Sequence, residues 1–157
     1  MKECSKAFEN STVVSIANYI GVRESRKLKG VHILTQEEIK SCKRFEDVIA
    51  YGNYEIDIHY PTGTGTELYC FKENEYYEIP YRSLLPKEYD NMLVAGRCLS
   101  ATHEAHSAVR IMPICACMGE AAGLACAVAC NTNANAHTVD ISGVQKMLRR
   151  NGAYEGL

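Results

Sequence analysis

The stretch RCLSATHEAHSAVR, from Arg97 to Arg110, holds the densest cluster of hydrogen-bonding and titratable groups in the chain. Arg97, Ser100, Thr102, His103, Glu104, His106, Ser107 and Arg110 all fall within it. Three chemistries compete for such a set. Histidines three apart on a helical turn can share a metal with Glu104 or a cysteine, but no third ligand has suitable spacing, so no metal is expected. HEAH is also not the zincin HExxH, because its second histidine comes one position early. A histidine–serine nucleophile pair would be accompanied by GxSxG in the hydrolase pattern, and that motif is absent. The plainest alternative is a surface loop of ordinary polar residues. Against it stands the loop's place between an apolar run and a run of very small residues.

Those flanks must position the cluster. MLVAG reads as a short, continuously apolar strand, Met92 to Ala95, buried on both faces of a sheet. Pro113 suits a first helical turn, where its missing N–H costs nothing, and predicts a helix from about Met112 to Cys130. In open α/β sheets ligands lie beyond the carboxyl ends of strands. The strand would deliver Gly96 and Arg97 to that edge, and the helix would aim its positive N-terminus at the same place. This order suits an anionic or electron-rich ligand.

The helix carries one charge, Glu120, between Ile111 and Cys130. Its length and the Gly119/Gly123 spacing resemble a membrane segment. Few large aliphatic residues, a mid-helix glutamate and absent flanking aromatics argue instead for close approach to a sheet or a flat ligand, so no membrane span is expected.

Upstream, residues Val13 to Leu34 are rich in β-branched residues and read as strands punctuated by Gly21 and Gly30, with RESRK as a solvated or site-facing edge. Thr35 and Glu38 form a capping-box pattern, and Ile39, Cys42, Phe45, Val48 and Ile49 extend it at helical spacing, predicting a helix from about Gln36 to Ala50 that Gly52-Asn53 ends. YEIDIHY and EYYEIPY read as strands, and PTGTGT between them as a hairpin or irregular loop rather than a phosphate loop. Asp140 can cap a last helix through about Arg150, with Gly152 past its end.

The chain has 157 residues, a net charge of −2, no tryptophan and ten tyrosines. Near-neutrality gives no electrostatic case for nucleic acid or an anionic membrane. The N-terminus lacks the apolar core of a signal peptide, so a cytoplasmic setting is expected. Eight cysteines without a CxxC pair then read as small buried apolar residues rather than as a disulfide framework.

Taken together, NMLVAGRCLSATHEAHSAVRIMP and GEAAGLACAVA, with GVRESRKLKGVHILT and EIPYRSLLPKEYDN upstream, resemble the C-terminal part of FAD-dependent oxidoreductases with a two-part dinucleotide-binding fold. The broad class is that of fumarate reductase and succinate dehydrogenase flavoproteins. The resemblance implies an α/β fold with α+β character: a remnant of the β-rich substrate-side domain over 1–90 and the end of a Rossmann-like FAD-binding domain over 91–157. It implies FAD as cofactor and a small organic molecule as hydride donor or acceptor. Ala95, Gly96, Arg97 and Ser100 would lie along the cofactor's pyrophosphate or ribityl chain. Backbone N–H groups at Ile111 and Met112 would face the flavin, and Gly119 and Gly123 would allow close helix packing. His103, His106 and Arg110 would fall on the substrate side, where a histidine moves a proton and the arginine holds a carboxylate or hydroxyl. The family's GxGxxG is absent from this sequence. The expectation is therefore a truncated or split product, inactive alone, that self-associates or joins an N-terminal FAD-binding portion to cover its unpaired edges. A non-catalytic interaction module and a metal- or cysteine-dependent enzyme using the histidine loop are the alternatives.

Overall fold

The computed structural model of the chain describes residues 6–59 and 65–153. Helices and strands are mixed, in an α+β arrangement. A short helix α1 (Gln36–Lys40) precedes four strands: β1 (Val48–Gly52), β2 (Ile56–His59), β3 (Thr66–Tyr69) and β4 (Tyr77–Pro80). Three helices close the chain: α2 (His103–Val109), α3 (Met112–Thr132) and α4 (Ile141–Arg150).

The described strands form two antiparallel pairs, β1 with β4 and β2 with β3. All four residues of β4 are buried, as are four of the five in β1. Such a pair needs cover on both faces. The C-terminal helices α3 and α4 pack against β1 and against each other, while α1 packs against β4. The core joins Ile49, Tyr77 and Ile79 from this pair to Ile114, Met118, Ala121 and Ala125 of α3 and to Val144 and Leu148 of α4. Gly52 pairs with Tyr77, and a Cβ at Gly52 would lie 2.5 Å from that buried ring.

Local signals hold where their partners are local. The Thr35 hydroxyl accepts from Glu38 N–H, and the Glu38 carboxylate accepts from Thr35 N–H at 3.1 Å. Asp140 caps α4, and Pro113 sits in the first turn of α3. The β2–β3 pairing agrees with a hairpin across PTGTGT, although residues 60–64 lie outside the described residues.

Three expected elements differ. The helix that starts at Gln36 stops at Lys40, because Cys42 turns into the left-handed region at φ 49° and Val48–Gly52 instead pairs with β4. Gly52 therefore belongs to a strand rather than to a helix end. The buried Phe45, Val48 and Ile49 satisfied a helical period, but a short continuous apolar run, Val48 to Tyr51, satisfies a buried strand equally.

The second difference lies over 13–34, which forms no ladder and makes only isolated bridges, Gly30 with Pro86 and Leu34 with Ala101. Val13, Val14, Ile16, Tyr19 and Ile20 are exposed there. The third is the stretch from Met92 to Ala95, which is not a strand. Its Val94 N–H donates to the Leu84 carbonyl at 2.9 Å, and among the described residues no strand flanks it. A strand is defined by its ladder, and an apolar run cannot supply its own partner. The Rossmann-like sheet implied by resemblance is thus not formed among the described residues.

Candidate functional site

Half of the expected polar loop is helix. Thr102 caps α2 by accepting from Ala105 N–H at 3.3 Å. Five of the seven α2 residues are buried: Ala105, His106, Ser107, Ala108 and Val109. Arg110 forms the C-cap of α2, and Ile111 the N-cap of α3. Two residues therefore separate the helices, and the chain turns sharply between them.

The Gly96–Arg97 turn docks onto that junction from both sides. Gly96 has φ +86°, and a Cβ there would meet nothing within 4 Å. The Arg97 Nε–H donates to the Arg110 carbonyl at 3.1 Å. The Arg97 carbonyl in turn accepts from His106 Nε2–H at 2.9 Å. These bonds bring Gly96, Arg97, His106, Arg110 and Ile111 into one cluster. The N-terminus of α3 opens beside it without a side-chain cap, and Met112 is 76% exposed. Uncapped N–H groups and the helix dipole favour an anion there. Cys115, one turn on, lies near Arg97, and burial pushes its thiol up.

Other predicted residues fall elsewhere. Ala95 is half-buried against the core. The Ser100 hydroxyl is buried and accepts from Gly30 N–H at 3.1 Å, so it fastens two segments of the chain. Gly119 and Gly123 lie on the exposed side of α3, and a Cβ at either would meet nothing within 4 Å. They serve no close packing among the described residues. By length and composition α3 could cross a membrane, yet Ile114, Met118, Ala121 and Ala125 on its other side enter the core.

His103 and His106 differ sharply. The His106 ring is completely buried, and its Nδ1 has no hydrogen-bond partner. His103 is exposed, with Nδ1 2.8 Å from Glu24 Oε2. Glu24 Oε2 also lies 3.5 Å from His106 Nδ1, and Lys27 holds Glu24 Oε1 at 2.6 Å. Burial raises the Glu24 carboxyl, but Lys27, His106 and His103 outweigh it and leave the group below the ordinary glutamate range. Burial lowers His106; Glu24 and the Arg97 carbonyl oppose the fall, Lys27 and Arg110 add to it, and the net shift is downward. Arg110 Nη2–H donates to the Asp57 carbonyl at 3.0 Å and stands 3.9 Å from the Asp57 carboxylate.

Glu24, Lys27 and Asp57 are absent from the residues predicted to form the site. The charged run RESRK marked a site-facing edge, but nothing in it named a partner 79 residues away. Among the described residues no group of three or more His, Cys, Asp or Glu could hold a metal, and the seven described cysteines are free. Two clefts lie away from the cluster. One of about 240 Å³, lined by Tyr81, Leu93, Ala125 and Cys126 among others, is apolar. One of about 390 Å³ runs along His32, Lys43, Arg44 and Arg82. Neither includes His103 or His106, and a volume alone carries no chemistry.

The sequence model of one family, described as FAD dependent oxidoreductase, matches residues 1–148. No curated protein and no solved structure matches the chain.

Proposed function

The chain belongs to the FAD-dependent oxidoreductase family, and on that premise we propose that it forms the flavin-facing turn and helix of an enzyme that moves hydride between a small organic substrate and FAD. The broad fumarate reductase and succinate dehydrogenase class is the branch we favour. One observation carries the reading. The Arg97–Arg110 bond holds the open Gly96 turn against the uncapped N-terminus of α3. Backbone N–H groups, a helix dipole and an arginine thereby share one part of the surface, and a glycine leaves the approach clear.

These features fit FAD. Gly96, Arg97 and the backbone at Ile111 and Met112 would hold it, with Ala95 behind the turn. Bound FAD supplies the hydride acceptor or donor. The chain's own residues supply the rest. The α3 N-terminus would stabilise negative charge on bound flavin. The exposed His103 meets solvent, and His106 lies behind Arg97. Arg110 lines the substrate side from its seat on Asp57. The Ser100 hydroxyl is engaged with Gly30 and positions the turn from within.

The sequence carries no GxGxxG, so the pyrophosphate-binding half comes from further polypeptide, and this chain alone is a poor catalyst. The exposed side of α3, with Ala116, Gly119, Gly123 and Ala127, and the exposed apolar residues of 13–22 offer the docking faces. Either a polypeptide bearing that loop or a second copy covers them, in a cytoplasmic setting.

The deciding experiment adds FAD to the purified chain, alone and mixed with a GxGxxG-bearing portion of a family member, removes excess by gel filtration and records the visible spectrum. Retained flavin with a shifted band in either sample supports the reading. Flavin lost from both overturns it.

A further inference from the structure

Among the described residues, α2 presents one feature that flavin binding does not explain. Two imidazoles of unlike exposure meet a single carboxylate oxygen from a remote segment. Glu24 Oε2 is 2.8 Å from His103 Nδ1 and 3.5 Å from His106 Nδ1. Oε1 of the same carboxylate is occupied by Lys27 at 2.6 Å. The His103 side chain is 54% exposed, whereas that of His106 is 0% exposed.

Hydrogen-bond chemistry fixes the tautomers. The Arg97 carbonyl can only accept, so His106 keeps its proton on Nε2. In the neutral ring Nδ1 then carries a lone pair. That lone pair is buried, unpartnered and directed toward a carboxylate. An unsatisfied acceptor facing an anion is a costly arrangement, and one added proton removes the cost. His103, by contrast, must donate from Nδ1 to the carboxylate, which leaves its Nε2 toward solvent.

We propose that His103, Glu24 and His106 form a proton relay that carries a proton from solvent to the buried Nδ1 of His106. Solvent protonates His103 on Nε2. The Nδ1–H bond of His103 breaks as an O–H bond forms on Glu24 Oε2, leaving His103 neutral. The O–H bond then breaks as an N–H bond forms on His106 Nδ1. The carboxylate is restored, and it pairs with the new imidazolium. One proton has moved and no electron has. Glu24 is the middle member of the relay, since its Oε2 takes up and releases the proton. Lys27 keeps its second oxygen engaged, so that Oε2 alone carries the traffic.

The charged groups around the relay come from each neighbouring part of the chain. Glu24 and Lys27 belong to the segment 13–34. Arg110, at the end of α2, is partnered to Asp57 of β2. Arg97 turns its guanidinium onto the Arg110 carbonyl. Burial, Lys27 and Arg110 oppose the imidazolium, and Glu24 and the Arg97 carbonyl favour it. Glu24 is the one anion among these groups. The relay rests on the flavoprotein reading only for the use made of the proton.

The test is an imidazole ¹⁵N NMR titration of the full chain without flavin, with proton exchange measured at His106 Nδ1. In the wild type His106 should gain its proton on Nδ1 and keep Nε2–H throughout. Glu24→Gln should lower the His106 midpoint by about one pH unit or more, the size expected for losing an adjacent opposite charge. Glu24→Asp withdraws the carboxylate by one methylene and should give an intermediate midpoint. It serves as the deciding variant if backbone spectra show that Glu24→Gln is unfolded. His103→Gln should slow exchange at His106 by about tenfold or more, because the solvent-side acid is gone. An unmoved His106 midpoint in the folded Glu24 variant overturns the proposal, as does an unchanged exchange rate in His103→Gln. Flavin retention is scored separately, by the gel-filtration experiment on the chain with and without the GxGxxG-bearing portion. Retained flavin in either of those samples with an unmoved midpoint sinks the relay alone. Flavin lost from both with a moved midpoint sinks the flavoprotein reading and leaves the relay standing.

Discussion

The Arg110 guanidinium donates to the main-chain carbonyl of Asp57, 3.0 Å away and 53 residues earlier in the chain. The bond ties the end of α2 to β2, and the Arg110 side chain is only 12% exposed. Its charge is therefore held in place by the fold. Arg110→Ala should cost about 1–3 kcal/mol, because it removes a charged donor and leaves the carbonyl without it. Arg110→Lys should recover part of that loss but not the planar donor geometry. Urea unfolding of the two variants beside the wild type checks this. A wild-type midpoint in Arg110→Ala would show that the bond does not stabilise the fold.

Alkaline stability should depend on two buried tyrosines. Burial pushes the Tyr77 and Tyr81 phenols upward, with Cys126 adding to the rise at Tyr81. Their hydroxyls donate to the carbonyls of Ala108 and Ala136, at 3.1 Å and 2.9 Å. Unfolded tyrosine ionises near pH 10. Above that pH the unfolded chain therefore holds fewer protons than the folded one, and stability falls as pH rises. The slope is about 1.4 kcal/mol per pH unit for each such tyrosine. Tyr77→Phe and Tyr81→Phe should each flatten the fall by one tyrosine's share. Denaturant melts from about pH 8 to 11 measure it, and a pH-independent midpoint over that range would contradict the argument.

How much was legible follows from the reach of each signal. Thr35 with Glu38, Asp140, and Pro113 in the first turn of α3 were readable because caps are settled within a few residues. The small-residue helix was readable because a long apolar run without breakers leaves few other choices. The helix α2 was hidden, since Thr102 is its only strong local mark and its seven residues are too few to set a period. Met92 to Ala95 looked like a strand because its run is apolar, yet Met92 is exposed, Leu93 to Ala95 are half-buried, and an apolar composition does not report pairing. Of the site, the histidines and arginines stood out by chemical type. Glu24 did not, because its partners His103 and His106 lie about eighty positions away and only the folded chain brings them together.

The capping residue of α2 also controls the cluster. Thr102 accepts from Ala105 N–H, and α2 spans only seven residues. A helix this short has little stability of its own and relies on caps and packing. Thr102→Ala should destabilise the chain by about 1 kcal/mol. It should also raise hydrogen exchange at the His106 and Arg110 amides, which donate to Thr102 and His106 carbonyls within the helix. Thr102→Ser keeps the acceptor and should restore protection. Equal exchange in all three proteins would mean that α2 is held by packing alone.

The glycines divide into two groups with opposite expected effects. A Cβ at Gly30 would stand 2.6 Å from the Ser100 Cβ, and one at Gly52 would stand 2.5 Å from the Tyr77 ring. Both neighbours are buried and cannot retreat without moving the core. Gly30→Ala and Gly52→Ala should each cost about 1–3 kcal/mol through overpacking. Gly119 and Gly123 face open space in a helix interior. Alanine there should stabilise the isolated chain by about 0.5–1 kcal/mol, since glycine loses more backbone freedom on folding. If that face of α3 docks a second body of protein, the same alanines should weaken the association while strengthening the fold. Thermal melts of the chain, together with sedimentation of its mixture with a GxGxxG-bearing family portion, separate the two effects. Stabilisation with unchanged association would mean that the glycines answer to no partner. Stabilisation with weakened association would locate the docking face on the Gly119–Gly123 side of α3.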